Sequence, residues 1–165
     1  MKCMQCGEAL TSQRENFAYR AVGLPSITLA DVMVSRCPKC GEYEVEIPAV
    51  EELHKTIAIL VASKAEKLTP DEVRFLRKYL GWSGADFAAT FGVDPATVSR
   101  WENGKQEMGA TAERLLRLSI GRLQPLEKYP TEKLQEVATK DAKPRPMRFE
   151  KVGRAWLEAD SHAPA

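Results

Sequence analysis

Two short cysteine motifs constrain this chain more than any other feature of its sequence. The segments Cys3-Met-Gln-Cys6-Gly7 and Cys37-Pro-Lys-Cys40-Gly41 share one Cys-x-x-Cys-Gly pattern. Two intervening residues let both thiolates of a tight turn face one point, and the glycine permits the positive φ that turns the chain away. Together the motifs use every cysteine in the chain and supply the four thiolates of a tetrahedral metal site.

The ion that suits four thiolates is Zn²⁺, which is borderline-soft. A closed four-cysteine site leaves no position for a substrate, so we expect one structural zinc per chain and no catalysis there. The predicted ligands are Cys3, Cys6, Cys37 and Cys40. Two alternatives are weaker. A redox Cys-x-x-Cys pair normally occurs once, in a βαβ setting that this region lacks, and disulfides are rare in a reducing compartment.

The composition is that of a soluble globular protein. The chain has 165 residues, of which 44% are hydrophobic and 28% are charged, enough for two small domains. Its longest apolar stretch, residues 57–62, is too short to cross a bilayer, and its N-terminus lacks the apolar core of a signal peptide. We therefore expect a cytoplasmic protein with no membrane partner. The net charge of +1 neither supports nor excludes DNA binding.

Changes in composition divide the chain into four predicted regions. Residues 1–47 form the four-cysteine zinc-binding module, with short strands predicted at 17–22, 27–36 and 42–47. Residues 48–67 carry the apolar stripe of a connecting helix. Residues 68–124 form a helix-turn-helix domain. Residues 125–165 are a polar extension, interrupted by prolines, with a basic cluster. Two interpretations stay open for it: partial disorder in the free protein, or an arm that becomes ordered on DNA or protein.

Capping signals predict the helices of the 68–124 region. Thr69-Pro-Asp-Glu72 is a capping box with proline at the first helical position. Ser83 begins a second, short helix at 84–91, which Gly92 ends. After Asp94-Pro95 comes a third helix at 95–103, and a fourth is predicted at 111–123. Two short helices joined by a glycine turn, as the second and third are, form a helix-turn-helix.

The third predicted helix has one inward and one outward side. Successive residues lie about 100° apart around a helix, so Val98 and Trp101 share the side that packs inward. The other side is short and polar with one long cation, as suits a helix in a major groove. The predicted DNA contacts are Ala96, Ser99, Arg100 and Asn103 on that side, Thr97 on its flank, Lys105 just past the helix and Ser83 at the start of the second helix. Because one such motif meets few base pairs, we expect a homodimer on a palindrome.

Residues 83–104 resemble the Xre/Cro-type helix-turn-helix family, whose Thr-Val-Ser-Arg-Trp-Glu-x-Gly signature stands at 97–104. Together with the cysteine motifs, residues 1–123 are similar to the MqsA-type antitoxins, also called YgiT-type zinc finger proteins. The resemblance implies zinc at the four cysteines and base reading by Arg100. A second base-reading position of the family, often Asn, is Ala96 here, and a polar position at the start of the second helix is Gly84. These departures imply a different operator sequence.

We therefore predict an α+β, mostly α fold, with a small N-terminal four-cysteine zinc ribbon-like module followed by an all-α Xre/Cro-type helix-turn-helix domain. The predicted function is a sequence-specific transcriptional repressor. By resemblance it is the antitoxin of a type II toxin–antitoxin pair, which represses its own operon and neutralises an mRNA-cleaving toxin. The alternative is a stand-alone zinc-containing regulator without a toxin. No Ser/His/Asp or paired-carboxylate constellation accompanies the cysteines, which argues against an enzyme.

Overall fold

The computed structural model describes residues 1–122 and 141–159 of the chain. Within these ranges it has five helices and a five-stranded mixed sheet. The strands are β1 (Thr11–Ala18), β2 (Ile27–Arg36), β3 (Tyr43–Glu46), β4 (Met147–Val152) and β5 (Ala155–Ala159). The helices are α1 (Val50–Ser63), α2 (Pro70–Tyr79), α3 (Gly84–Phe91), α4 (Pro95–Glu102) and α5 (Ala110–Gly121). None of the helices in these ranges is long and apolar enough to cross a membrane.

The chain divides into two compact units. The first takes its described residues from Met1–Arg20, Pro25–Leu53 and Pro146–Ala165, and it contains all five strands. The second takes its described residues from Ala21–Leu24 and His54–Arg145. Its regular elements are most of α1 and the whole of α2 to α5.

Strand β2 is the centre of the sheet in the first unit. One edge pairs antiparallel with β1. The other edge is divided, because residues 27–29 pair parallel with β4 and residues 33–36 pair antiparallel with β3. Between these two parts Asp31 has a φ of +52°, and the β1 register shifts between Glu15 and Phe17. Residues 30 and 31 of β2 thus lie opposite one residue of β1, which is the two-against-one pattern of a β-bulge.

The prediction of a mostly α fold, with a small zinc module and an all-α remainder, is wrong. A five-stranded mixed sheet accompanies the five helices, and β4 and β5 come from the C-terminal extension. Met147, Phe149 and Trp156 are buried, and burial of alternate residues is the mark of a strand. The basic side chains between them obscure that alternation in the sequence. Residues 125–140 and 160–165 of the extension lie outside the described residues.

Two of the three predicted strands match the observed ones in position, and the third does not. β2 occupies the predicted range 27–36, and β3 lies within 42–47. β1, however, begins at Thr11 and ends at Ala18, whereas the prediction was 17–22. Most β1 residues are exposed and polar, so the strand shows no apolar alternation by which it could be recognised.

The second unit contains a buried pair of opposite charges, Arg117 and Glu113 of α5. Arg117 is fully buried, and its Nη2 lies 2.6 Å from Glu113 Oε1. The same guanidinium donates to the carbonyl oxygens of Ala62, Lys64 and Glu66 at 3.0, 2.5 and 2.6 Å. These carbonyls lie at or just beyond the end of α1, where a helix leaves backbone acceptors without intrahelical partners. Arg117 therefore joins α5 to the C-terminal end of α1.

Candidate metal centre and nucleic-acid interface

The four cysteines come together in the first unit. Their sulfur atoms all lie within 4.8 Å of one another. Cys3 Sγ is 3.5 Å from Cys40 Sγ, and Cys6 Sγ is 3.4 Å from Cys37 Sγ. These separations exceed the roughly 2.0 Å of a disulfide bond, and all four thiols are free. They are close to the separation of about 3.8 Å that four sulfurs have around an ion with metal–sulfur bonds of about 2.3 Å. The cluster can therefore hold one metal ion.

Two turns with the same geometry position the sulfurs. In each turn the glycine after the second cysteine has a positive φ, +74° at Gly7 and +76° at Gly41. The N–H of Gly7 donates to Cys3 O at 2.9 Å, and that of Gly41 donates to Cys37 O at 3.0 Å. Each glycine thus closes a tight turn in a backbone region that L side chains rarely adopt. This is the local geometry that the Cys-x-x-Cys-Gly pattern predicts.

Backbone donors and crowding move the thiol pKa values in opposite directions. The N–H of Cys40 is the largest influence on Cys37, and with the N–H of Lys39 it lowers the pKa of Cys37 to about 7. The N–H of Glu8 acts in the same direction on Cys6. Desolvation and the other three thiols outweigh it, however, and raise the pKa of Cys6 to about 12. Four thiolates within 4.8 Å of one another would repel each other, and a bound cation would offset that repulsion.

In the second unit, α3 and α4 are joined by the turn Gly92-Val93-Asp94. The Ser83 side chain caps α3 by accepting from the N–H of Asp86, and Gly92 ends that helix with a φ of +63°. Val98 and Trp101 of α4 are buried, as predicted for its inward side. The ring centroids of Trp101 and Phe87 in α3 lie 6.1 Å apart, in an edge-on arrangement. The two short helices therefore pack through aromatic side chains.

Helix α4 is also fastened to α2 by charged groups. Arg77 of α2 donates to both carboxylate oxygens of Glu102, with Nε at 2.5 Å and Nη2 at 3.1 Å. Arg74 donates from Nη2 to the backbone carbonyl of Glu102. A two-point arginine–carboxylate pair fixes direction as well as distance. The outward side of α4 is consequently held in a defined orientation relative to α2 and α3.

The residues predicted to contact DNA lie mostly on this exposed side. Thr97 is half-buried, and the others are exposed: Ser83, Ala96, Ser99, Arg100, Asn103 and Lys105. Several of them are engaged within the protein, Ser83 and Asn103 among them. The Ser83 hydroxyl donates to Asp86 Oδ2 at 2.6 Å, and Asn103 Nδ2 donates to Ser99 O at 2.7 Å. Their contacts with DNA stay a prediction.

Sequence reasoning missed one residue beside this surface, Gln106. Its Oε1 accepts a hydrogen bond from Arg100 Nε at 3.0 Å, while Thr97 Oγ1 accepts from Arg100 Nη2 at 2.7 Å. Gln106 follows the end of α4, where helical periodicity no longer assigns a residue to a face. The signal that could have found it is Gly104, because a glycine of positive φ after a helix turns the following residues back towards the last turn.

Comparison with known proteins identifies one family. The model of the family described as the antitoxin component of a bacterial toxin–antitoxin system, MqsA, matches residues 1–137. No curated protein is significantly similar to the chain. The matched range includes both cysteine turns and all five helices, and it ends before β4.

Proposed function

The chain belongs to the MqsA family of antitoxins, whose model covers 137 of its 165 residues, and on this premise we propose that it is a sequence-specific DNA-binding repressor that also neutralises a toxin. The observation that carries the DNA-binding part is the exposed polar side of α4, which presents Arg100 on a helix fastened to α2 and α3. A short polar helix side of this kind fits a major groove. We place the protein in the cytoplasm, where its DNA target lies.

We propose that Zn²⁺ is the ion held by Cys3, Cys6, Cys37 and Cys40. Four sulfur donors without an oxygen donor favour zinc or an iron–sulfur centre over hard cations. When bound, the ion links the two cysteine turns and stabilises the first unit. Metal analysis of protein purified without added metal should find about one equivalent of zinc. Iron in its place, or less than half an equivalent with oxidised thiols, would contradict the assignment.

We propose that Arg100 reads a base. The end of a guanidinium can donate two parallel hydrogen bonds to guanine O6 and N7, a pairing that discriminates by about 1–3 kcal/mol, or roughly 5- to 150-fold. Because one helix-turn-helix meets few base pairs, we propose that the chain binds a palindromic site as a homodimer. Repression of its own operon follows if that site overlaps the promoter.

The test of base reading needs a defined DNA. The selected duplex is the one that the wild-type chain binds best from a random-sequence library, and the comparison is a duplex of unrelated sequence. Arg100→Ala should lose most of the preference for the selected duplex and little unspecific affinity. A residue that meets only phosphate would weaken both duplexes alike. Arg114→Ala removes an exposed arginine of α5 and is the matched control. A preference within about twofold of wild type would show that Arg100 does not read bases.

The toxin partner is proposed from the family description, and we propose that the toxin cleaves mRNA. The first unit, with its cysteine cluster, is the proposed toxin-binding part. Co-expression with the open reading frame next to its gene provides the test, since the chain should relieve growth arrest and co-purify with that product. If no neighbouring product arrests growth or binds, the chain is a stand-alone regulator.

A further inference from the structure

The segment after α4 is attached to Arg100 at two places. The N–H groups of Lys105 and Gln106 both donate to Arg100 O, at 2.9 and 3.3 Å. The Gln106 side chain returns to the same residue, because its Oε1 accepts from Arg100 Nε at 3.0 Å. Gln106 is therefore fixed to Arg100 through its backbone and through its side chain. Both residues are exposed, so a side-chain bond alone would be weak in water.

Gly104 creates this arrangement. It follows the C-terminal end of α4 with a φ of +67°, and its N–H donates to Trp101 O at 3.3 Å. Together with the bond from Lys105 to Arg100, this pair of hydrogen bonds is a Schellman motif. The motif reverses the chain, so that Gln106 lies beside the last turn of α4.

The two side-chain partners occupy one edge of the Arg100 guanidinium. Gln106 takes the Nε–H, and Thr97 takes one N–H of Nη2 at 2.7 Å. A guanidinium has five N–H donors in a fixed planar fork. In the described ranges no acceptor is bonded to Nη1. The far end of the fork, with one N–H on each Nη, thus remains for a ligand, and its two parallel donors match O6 and N7 of guanine.

We infer that Gln106 is a positioning residue for DNA recognition: with Thr97, it orients the Arg100 guanidinium before DNA is bound. This inference rests on the proposed reading of DNA by α4. It adds that Arg100 is held in an orientation suited to that reading before DNA binds. A long arginine loses conformational freedom when it is immobilised in an interface. Because Gln106 has already restricted Arg100, less freedom is lost on binding, and the far end of the fork is favoured over its occupied edge.

The first experiment tests the arrangement in the free protein. Gln106→Met keeps the length of the side chain and removes the acceptor, whereas Gln106→Glu keeps an acceptor oxygen. The Arg100 Nε–H signal, identified in NMR spectra by its loss in Arg100→Lys, should be ordered in the wild type and in Gln106→Glu. It should become mobile in Gln106→Met. Circular dichroism confirms that each variant is folded. An unchanged Arg100 signal in Gln106→Met would overturn the inference.

The second experiment tests whether Gln106 acts through Arg100. Gln106→Met should lower the preference for the selected duplex by about 3- to 10-fold, the amount expected for mobilising one long side chain. In an Arg100→Ala background the same change should alter the preference by less than about twofold. Gln13→Met is the same exchange at an exposed position of β1 in the first unit. It should not change the preference for the selected duplex in the wild-type or in the Arg100→Ala background.

The outcomes separate the inference from the proposed function. An equal loss in both backgrounds would mean that Gln106 contacts DNA by itself, which overturns the positioning role and leaves α4 as the reading helix. If Arg100→Ala keeps the full preference, the proposed base reading fails. The NMR signal then still decides whether Gln106 orders Arg100 in the free protein.

Discussion

Phe149 offers the sharpest test of whether the C-terminal strands belong to the core of the first unit. It is fully buried in β4 and lies opposite Leu29 of β2, which is fully buried as well. Truncating a buried phenylalanine to alanine costs the transfer free energy of the ring and leaves a cavity, together about 3–5 kcal/mol. A small unit has a total stability of about 5–15 kcal/mol. Phe149→Ala should therefore remove much of it.

Amide hydrogen exchange in β2 measures this loss in the intact chain. For amides that exchange only when the unit unfolds, 3–5 kcal/mol corresponds to roughly a hundred- to several-thousand-fold faster exchange. Leu157→Ala is the control, because Leu157 is 49% exposed and lies on β5, the strand that pairs antiparallel with β4. It should change exchange by about twofold or less. Equal, small effects of the two substitutions would show that β4 is not part of the core.

The other predictions concern the second unit and the metal. Arg117→Met should lower the free energy of unfolding by about 3–5 kcal/mol, because it leaves the Glu113 carboxylate buried without its cation; a loss below about 1 kcal/mol in urea titrations followed by circular dichroism would refute this. Gly104→Ala should cost about 1–2 kcal/mol in the same titration, because its φ is +67°, and should also make the Arg100 Nε–H mobile. Removing the metal with a chelator should speed amide exchange in β2 while helices α2 to α5 stay protected; equal loss of protection in both would show that the metal supports the whole chain.

Features encoded by neighbouring residues could be predicted from the sequence. The geometry of each cysteine turn follows from the spacing of its two cysteines and a glycine, and α3 spans 84–91 as its capping signals indicate. α4 ends at Glu102, one residue before the prediction, and α5 spans Ala110–Gly121. Position 123, the predicted end of the fourth helix, lies outside the described residues. Helix ends are specified locally by caps, which is why these predictions came close.

Features that depend on distant residues could not be predicted in this way. The parallel pairing of β2 with β4 involves only three residue pairs, from Ile27–Met147 to Leu29–Phe149. No pattern within either segment predicts that the two will pair. The buried Arg117 likewise has the sequence context of a surface arginine on an amphipathic helix. Its role follows from the carbonyl groups that α1 brings to it, and a sequence read segment by segment does not contain that proximity.

The divided edge of β2 has a consequence for biosynthesis. Residue 147 leaves the ribosome about 120 residues after residue 27, its partner, and at about 5–20 residues per second this delay is roughly 6–24 seconds. Once residue 46 has emerged, the cysteine turns and the first three strands are complete, but the edge of residues 27–29 that pairs with β4 has no partner until residue 147 follows. An open strand edge is a template for pairing with other chains. We therefore expect the nascent protein to be open to aggregation at this edge until β4 emerges, and ribosome stalling between residues 46 and 147 would prolong that interval.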